Sequence, residues 1–391
     1  MKIKNIIISL TLFCVLTLPS LAQAYKFTDV KILPATPVKN QARTGTCWCF
    51  SSISFIESEL LRTGKGEHDL SEMYVVRNNY IERLQDNYLR MGKGNIDPGS
   101  ISHMATKVIA KYGIVPEEVY SGINYNSPTH NHTELSNYIG AIAEQSVKMK
   151  QRSPEYHKLM NSVLDIYLGE VPAKFNYKGK EYTPETFAKS LGLNMDDYIE
   201  FTSFSHHPFY QAVPLEIPDN WDNEKLYNVP LDDIMRIMNH AFENGYTVNW
   251  DGDISERGFV FAKHVAINPE INDLSKYSAA DREKFATMSP PERLAEVLKL
   301  EKIYPEIDVT QEIRQRDFEA FISTDDHLMH LTGIVKDQNG TIFYVTKNSW
   351  GTERNGTGYL NMSESYVRAK TISIILHKDG VPSDIKKKFG L

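Results

Sequence analysis

The hydrophobic pattern of the chain changes period from one end to the other. Between residues 47 and 111, apolar side chains recur at helical spacing in three segments separated by glycine-rich turns. From residue 327, short apolar runs alternate with turn residues, and residues 327–335 and 341–347 are predicted to form a hairpin. A chain that is helical early and sheet-rich late predicts an α+β fold with a cleft between its two halves.

The first predicted helix begins at a cysteine. Cys47 opens an apolar segment that is predicted to run as a helix to about Thr63, where glycines end it. A helix N-terminus carries partial positive charge, which favours the nucleophilic thiolate over the thiol. Gln41 lies six residues upstream, and its amide is a candidate donor to an oxyanion formed beside this thiolate.

Composition excludes some classes of function. The chain has 391 residues, of which 41% are apolar and 24% charged, as in an ordinary soluble globular protein. Its formal net charge is −7 and it has no long basic run. A nucleic acid or an anionic membrane is therefore not expected as its main partner.

Residues 1–24 have the pattern of a bacterial-type export signal. Lys2 and Lys4 precede an apolar run, and small residues end at Ala24. The apolar run is short for a membrane span, so we predict cleavage near Ala24, no stable membrane insertion afterwards, and a periplasmic or extracellular protein. An uncleaved anchor is the alternative.

Cleavage would remove one of the three cysteines, Cys14. Cys47 and Cys49 are too close within a helix to form an unstrained disulfide, so two free thiols are predicted in an exported protein. Cys49 is interpreted as a buried filler that points away from Cys47, with a second redox thiol as the alternative.

Residues 121–230 differ in character from the segments on either side and are interpreted as a mostly helical insertion. His206 and His207 lie in this region, just before Pro208. Adjacent residues of an extended segment point to opposite sides, so the two histidines are predicted to be a loop pair and no metal site is expected.

A cysteine nucleophile needs a base and a group that orients the base. His327 begins the first strand of the predicted hairpin, and Asn348 follows its returning strand, so the hairpin brings the two together. The Asn348 carbonyl would accept from one ring nitrogen and leave the other facing Cys47. Trp350 is placed to screen that hydrogen bond from water. His330 is interpreted as a structural histidine on the other face of the strand.

These residues occur in a recognisable order. Gln41, Gly45-Thr-Cys47-Trp48-x-Phe50-Ser51, Leu70-Ser-Glu72, His327 and Asn348-Ser-Trp-Gly351 resemble the papain-like cysteine peptidases. Within that clan the sequence is most similar to the bleomycin hydrolase and aminopeptidase C group. Asp97-Pro-Gly99, the segment 111–116 and the looser match Asn249-Trp-Asp-Gly-Asp253 also resemble that group.

The resemblance implies a two-lobed papain-like fold and a mechanism. Cys47 would be the nucleophile, His327 the general base and then acid, Asn348 the orienting residue, and Gln41 with the Cys47 N–H the oxyanion hole. It implies peptide substrates, no metal or organic cofactor, and a homo-oligomer, a hexamer by family precedent. The residues implied to line the cleft are Trp48, Gly99, Ser100 and Trp350.

The resemblance also gives an expected domain organisation. The parts are a signal peptide (1–24), a lead and helical lobe (25–120), the insertion (121–230), a β-rich lobe (231–378) and a tail (379–391). Only a short lead separates the predicted cleavage site from Gln41, so no inhibitory propeptide is expected. In the group, a C-terminal carboxylate in the cleft imposes aminopeptidase action, which makes Leu391 a candidate anchor. A frayed terminus is the alternative, and Lys386 to Lys388 disfavour the anchor.

The predicted function is therefore an exported cysteine peptidase of aminopeptidase type that acts through a thioester. An endopeptidase with an open cleft is the alternative within the class. A non-hydrolytic binding module on a peptidase scaffold is the alternative outside it. A metal-dependent hydrolase is disfavoured, because no His-Glu-x-x-His or Cys-x-x-Cys pattern occurs in the sequence.

Overall fold

The structure is a computed structural model that describes residues 25–391. The predicted export signal, residues 1–24, lies outside the described residues. Within residues 25–391, no helix is both long enough and apolar enough to cross a membrane.

The described part of the chain contains twelve α-helices and thirteen β-strands. The helices are α1 (Cys47–Arg62), α2 (Glu72–Leu89), α3 (His103–Tyr112), α4 (Thr133–Lys148), α5 (Glu155–Leu168), α6 (Pro184–Leu191), α7 (Leu231–Glu243), α8 (Ala279–Ala286), α9 (Pro290–Val297), α10 (Gln311–Glu319), α11 (Glu364–Lys370) and α12 (Ser383–Phe389). The strands are β1 (Thr28–Ile32), β2 (Phe175–Tyr177), β3 (Lys180–Tyr182), β4 (Tyr198–Thr202), β5 (Gln211–Pro214), β6 (Lys225–Asn228), β7 (Val248–Gly252), β8 (Phe259–Val260), β9 (Val265–Ala266), β10 (His327–Lys336), β11 (Ile342–Lys347), β12 (Tyr359–Ser363) and β13 (Thr371–His377).

The helical lobe is organised around α1, which begins at Cys47 as predicted. An amphipathic surface helix buries one face, but α1 is buried nearly all round, including its acidic residues Glu57 and Glu59. Glu57 accepts from Thr36 and from the Leu70 N–H, and Glu59 pairs with Arg62 on the same helix. Because these buried carboxylates have hydrogen-bonding or ionic partners, α1 can lie between the two lobes.

The second lobe is a mixed sheet in the order β5-β6-β4-β13-β7-β10-β11-β12-β9-β8, with β1 also paired to β10. β10 lies near its centre, antiparallel to β7 and β11. The β7–β10 register places Gly252 opposite His327 and Asp251 opposite Leu328. The predicted hairpin of β10 and β11 is present, and the α+β fold class is confirmed.

Hydrogen bonds from Asn249 on β7 tie the lobes together. Its Nδ2 donates to Ser52 Oγ on α1 and to Ser102 Oγ just before α3, at 2.9 Å each. Ser51 on α1 donates to Asn249 Oδ1. All four side chains are buried, so these bonds fix the start of α1 against the central strands.

The region predicted as a mostly helical insertion is more mixed than expected. Helices α4, α5 and α6 occupy much of residues 133–191, but β4, β5 and β6 then join the large sheet. The sequence pattern misses these strands because they are short and β4 is buried along its whole length, which removes the alternation of a half-exposed strand. Residues 198–228 are therefore part of the β-rich lobe.

Candidate active site

Cys47 is the first residue of α1, and its side chain is half-buried. The Leu328 N–H on β10 donates to Cys47 Sγ, so the thiol lies beside the residue that follows His327. Burial raises the pKa of Cys47 to about 12, against the lowering effect of that N–H. Burial therefore opposes the thiolate that the helix N-terminus favours.

His327 and Asn348 are in contact, as predicted. His327 Nε2 lies 2.8 Å from Asn348 Oδ1, and both side chains are buried. The Ser349 N–H also donates to Asn348 Oδ1, at 2.7 Å. A backbone N–H can only donate, so this bond identifies the atom facing His327 as the amide oxygen.

This arrangement fixes the tautomer of the imidazole. Because Asn348 Oδ1 accepts, His327 Nε2 carries the proton and Nδ1 is left as an acceptor. Burial lowers the pKa of His327 to about 4, although the Asn348 bond opposes the shift. Because Nδ1 is left to accept, the imidazole can take the thiol proton as the sulfur attacks.

Trp350 covers the imidazole. The two ring centroids lie 5.0 Å apart with the planes tilted by 34°. Phe259 and Phe261 meet the indole edge-on, and the Arg354 guanidinium lies 4.9 Å from its centroid. The predicted screening of the His327–Asn348 bond from water agrees with this packing.

Gln41 belongs to the same network. Its Oε1 accepts from Ser349 Oγ at 2.6 Å, and its backbone N–H donates to Ser349 O at 2.8 Å. Because Ser349 bonds the amide oxygen, the Nε2 group of Gln41 is not used by that bond and can donate to another acceptor. Ser349 therefore connects Gln41 to Asn348, and the four predicted catalytic residues share one region at the lobe boundary.

Two family models match the sequence on either side of this boundary. One, described as "Papain family cysteine protease", matches residues 23–186, which include Gln41 and Cys47. The other, "Peptidase C1-like family", matches residues 297–390, which include His327 and Asn348.

The chain belongs to the papain-like cysteine peptidases.

Its relatives are aminopeptidases of that family. Aminopeptidase W of Lactobacillus delbrueckii subsp. lactis is 22% identical over 413 residues, covering 94% of this chain and 86% of that protein. Aminopeptidase C of Streptococcus thermophilus is 23% identical over 391 residues, covering 88% and 80%. The crystal structure of PepW from Lactobacillus rhamnosis HN001 superposes with a TM-score of 0.65 at 18% identity, covering 93% and 84%, and confirms the fold.

The predicted cleft wall of this cysteine peptidase is covered by part of the chain itself. Residues 218–222, which we name the wall segment, lie on Gly99 and Ser100. Trp221 Nε1 donates to Ser100 Oγ at 3.2 Å, and a Cβ added at Gly99 would overlap the Asp219 carboxylate. Ser100 is fully buried as a result.

Trp48 and Pro98 join this wall to the nucleophile. Trp48 Nε1 donates to Pro98 O at 3.0 Å. Gly45 adopts a φ of +65°, and a Cβ there would lie 2.7 Å from Pro98 Cγ. The turn before Cys47 thus needs glycine, both for its left-handed backbone and for the close approach of Pro98.

Sequence reasoning missed three carboxyl groups near Cys47: Asp219, Asp251 and Asp325. Asp251 falls within the Asn249–Asp253 match, and Asp325 lies two residues before His327, so both had a local signal. Asp219 had none, because only the tertiary fold brings the wall segment to the site.

The prediction that Leu391 anchors a tail in the cleft is wrong for this structure. Helix α12 packs on the β-rich lobe, where Phe389 contacts Phe201 and Tyr227. Glu200, next to Phe201 on β4, contacts His103 of the helical lobe. Successive strand residues point to opposite faces, so α12 lies on the face of the sheet away from the cleft.

His206 and His207 do not lie on the extended segment that the sequence predicted. The pair lies in a turn, and both Nε2 atoms approach the Glu216 carboxylate, at 3.1 Å and 2.9 Å. The rings therefore point to the same side. Gln315 Nε2 lies 2.9 Å from His206 Nδ1, and its Oε1 accepts from the Ser205 N–H. This orientation makes Nδ1 the acceptor and places the ring proton on Nε2, which favours the hydrogen bond to Glu216 over metal ligation.

Cys49 and His330 occupy the places expected of structural residues. Cys49 is fully buried, and its thiol donates to Glu72 O at 3.2 Å. His330 is fully buried with Nδ1 2.9 Å from Ser54 Oγ. Both side chains face the interior of the helical lobe, and half-buried Cys47 is the more accessible thiol of the pair.

Proposed function

We propose that this cysteine peptidase is an exported aminopeptidase that hydrolyses peptide bonds through a thioester on Cys47. The assembly of Cys47, His327, Asn348 and Gln41 at the lobe boundary carries the proposal. The aminopeptidases among its relatives support the choice of substrate end.

In the acylation step, Cys47 Sγ attacks the carbonyl carbon of the scissile peptide bond and its proton passes to His327 Nδ1. Gln41 Nε2 and the Cys47 N–H donate to the oxygen that becomes negative. The imidazolium then gives its proton to the leaving amine as the C–N bond breaks, and the acyl group remains on sulfur as a thioester.

In the deacylation step, His327 takes a proton from water while the water oxygen attacks the thioester. The C–S bond breaks, the carboxylic acid leaves, and the proton returns to sulfur. Asn348 holds the imidazole in one orientation through both steps, since its oxygen is fixed by the Ser349 N–H.

The decisive experiment compares Cys47→Ala with Cys49→Ala. We expect Cys47→Ala to abolish peptide hydrolysis and labelling by a thiol-directed epoxide. Cys49→Ala removes a buried thiol on the same helix and controls for loss of a sulfhydryl, so its labelling should persist. Hydrolysis that survives in Cys47→Ala would rule out the proposal.

The choice between aminopeptidase and endopeptidase depends on the substrate's N-terminus. We expect peptides with a free α-amine to be hydrolysed and N-acetylated peptides to be poor substrates. Equal hydrolysis of both kinds would favour the endopeptidase with an open cleft. Failure to hydrolyse either kind, with saturable peptide binding, would favour a non-hydrolytic binding module.

Two further parts of the proposal have separate tests. Export predicts that the mature protein begins at Tyr25 and is recovered from the periplasm or medium, which N-terminal sequencing of fractionated cells would check. The homo-oligomer implied by the family predicts a mass above that of one chain in size-exclusion chromatography with light scattering.

A further inference from the structure

Three carboxyl groups near the active site have no ion-pair partner among the described residues. We name Asp219, Asp251 and Asp325 the acidic recess. All three act electrostatically on Cys47. Within residues 25–391, no lysine, arginine or histidine nitrogen forms an ion pair with any of them, although the charge of Arg83 acts on Asp219. Elsewhere in the interior, carboxylates such as Glu59 and Asp222 do have cationic partners.

Asp251 forms the floor of the recess. It is fully buried, and its register opposite Leu328 places it on the face of the sheet that meets the helical lobe. Its Oδ1 has no hydrogen-bonding partner among the described residues, and its Oδ2 lies 3.4 Å from Ser373 Oγ. Its carboxyl also meets that of Asp325, so either a proton shared by the two carboxyls or a cationic ligand can supply the missing donor.

Asp325 is the second member. It is half-buried, its carboxyl meets that of Asp251, and its Oδ2 also lacks a partner among the described residues. Burial and charge repulsion raise the pKa of Asp325 to about 7 and that of Asp251 well above its usual range. A cation placed between the two would oppose both shifts and favour the ionised forms.

Asp219 forms the rim. The wall segment holds it against Gly99, and its one hydrogen-bonding partner among the described residues is Asn95 Nδ2, at 3.4 Å. Arg83 donates from Nε and Nη1 to backbone oxygens of Asn95, Asp97 and Gly99, and its Nη2 has no hydrogen-bonding partner among the described residues. The segment is anchored at both ends, because Asn95 donates to Pro218 O and His103 bonds Asp222. The carboxylate is thus held in place with capacity to accept further hydrogen bonds.

We propose that the acidic recess binds a cationic amine of the substrate next to the scissile bond. This inference rests on the proposed peptidase function of Cys47. The free α-ammonium of an N-terminal residue fits best, because its nitrogen is only about 2.5 Å from the carbonyl carbon that sulfur attacks. A lysine side-chain ammonium offers the same chemistry at a greater distance.

Asp219 of the wall segment can provide the carboxylate that the C-terminal tail does not bring to the substrate's amine. Helix α12 is docked on the far face of the sheet, so the Leu391 carboxylate is not available to the substrate's amine in this structure. Asp219 presents an internal carboxylate instead. The wall segment also covers Ser100, which shortens the space for substrate residues that precede the scissile bond.

The experiment uses three fluorogenic coumarinamides: alanyl with a free amine, N-acetyl-alanyl, and N-acetyl-lysyl. We expect the protein to prefer the free alanyl substrate. Asp219→Asn and Asp325→Asn should each lower kcat/KM for that substrate by ~30-fold or more, the cost of removing one partner of a buried charge pair. Hydrolysis of N-acetyl-alanyl coumarinamide should not fall.

The three substrates distinguish an α-ammonium from a lysine side-chain ammonium as the group that the recess binds. A loss confined to the free alanyl substrate assigns the recess to the α-ammonium, and a loss confined to N-acetyl-lysyl assigns it to a basic side chain. Glu216→Gln removes an equal charge from the exposed surface of the same region and should change none of the ratios. Epoxide labelling of Cys47 and a thermal melt show whether each variant is folded.

Unchanged substrate ratios in both folded aspartate variants would overturn the recess proposal, while Cys47-dependent hydrolysis would still stand. Loss of hydrolysis in the unmodified protein would instead reject the proposed function. The two failures are therefore distinguishable in one set of assays.

Discussion

Asn348 presents its side-chain oxygen to His327 at 2.8 Å, and the same oxygen receives the Ser349 N–H. The amide therefore cannot rotate without breaking both bonds. We expect Asn348→Ala to lower kcat by about 100-fold, because the imidazole would lose its fixed tautomer and orientation. The exposed Asn339→Ala in the β10–β11 turn is the control. Steady-state kinetics check the prediction, and equal loss in both variants would contradict it.

Gly99→Ala should impair activity without unfolding the protein. The added Cβ would displace the carboxylate of Asp219 from the recess, while the wall segment stays anchored through Pro218 and Asp222. We expect a change in stability below about 1 kcal/mol and a selective loss on free-amine substrates. Gly140→Ala on α4, where the nearest atom is Ile96 Cδ1 at 4.0 Å, is the matched control and should retain activity. Comparable loss in both variants would contradict the role of Asp219.

His103 should stabilise the fold in a pH-dependent way. Burial alone would lower its pKa, but bonds to Asp222 and Glu200 outweigh burial and raise the pKa to about 9. The folded state therefore binds the proton more tightly than the unfolded state. The stabilisation, roughly 3 kcal/mol, is fully present below about pH 6.5 and is lost as pH rises through 9. The melting-temperature difference between the unmodified protein and His103→Gln should shrink over that range, and a constant difference would contradict this account.

Removing the end of α12 should affect stability and leave substrate choice unchanged. Phe389 packs on Phe201 and Tyr227, so deleting residues 389–391 should cost about 1–3 kcal/mol of unfolding free energy. The ratio of free-amine to N-acetylated hydrolysis should not move, because α12 lies away from the cleft. A gain of N-acetylated hydrolysis on deletion would restore the tail-anchor hypothesis. Leu391→Ala, at an exposed residue, is the control.

Local sequence signals predicted where the candidate catalytic residues lie in the fold. The helix start at Cys47, the β10–β11 hairpin and the Asn348 position all follow from short-range patterns that the fold preserves. The buried strand β4 and the docking of α12 depend on contacts far apart in sequence, which no local pattern encodes. The burial that raises the pKa of Cys47 also escaped prediction, since it is a property of both lobes together.

The acidic recess also could not be predicted from local sequence patterns. Asp251 and Asp325 lie near recognisable motifs, yet their shared unpaired state depends on the β7–β10 register and on the wall segment that carries Asp219. In the sequence, each of these aspartates taken alone is indistinguishable from an ordinary surface carboxylate. Only their convergence on Cys47 gives them a chemical role.

The thioester on Cys47 can be observed directly. Acid quenching during turnover of an alanyl ester, followed by mass spectrometry of the peptide containing Cys47, measures the acyl group on sulfur. We expect an alanyl adduct on Cys47 that disappears in Cys47→Ala together with all hydrolysis. Turnover by Cys47→Ala, or an adduct on another residue, would contradict it.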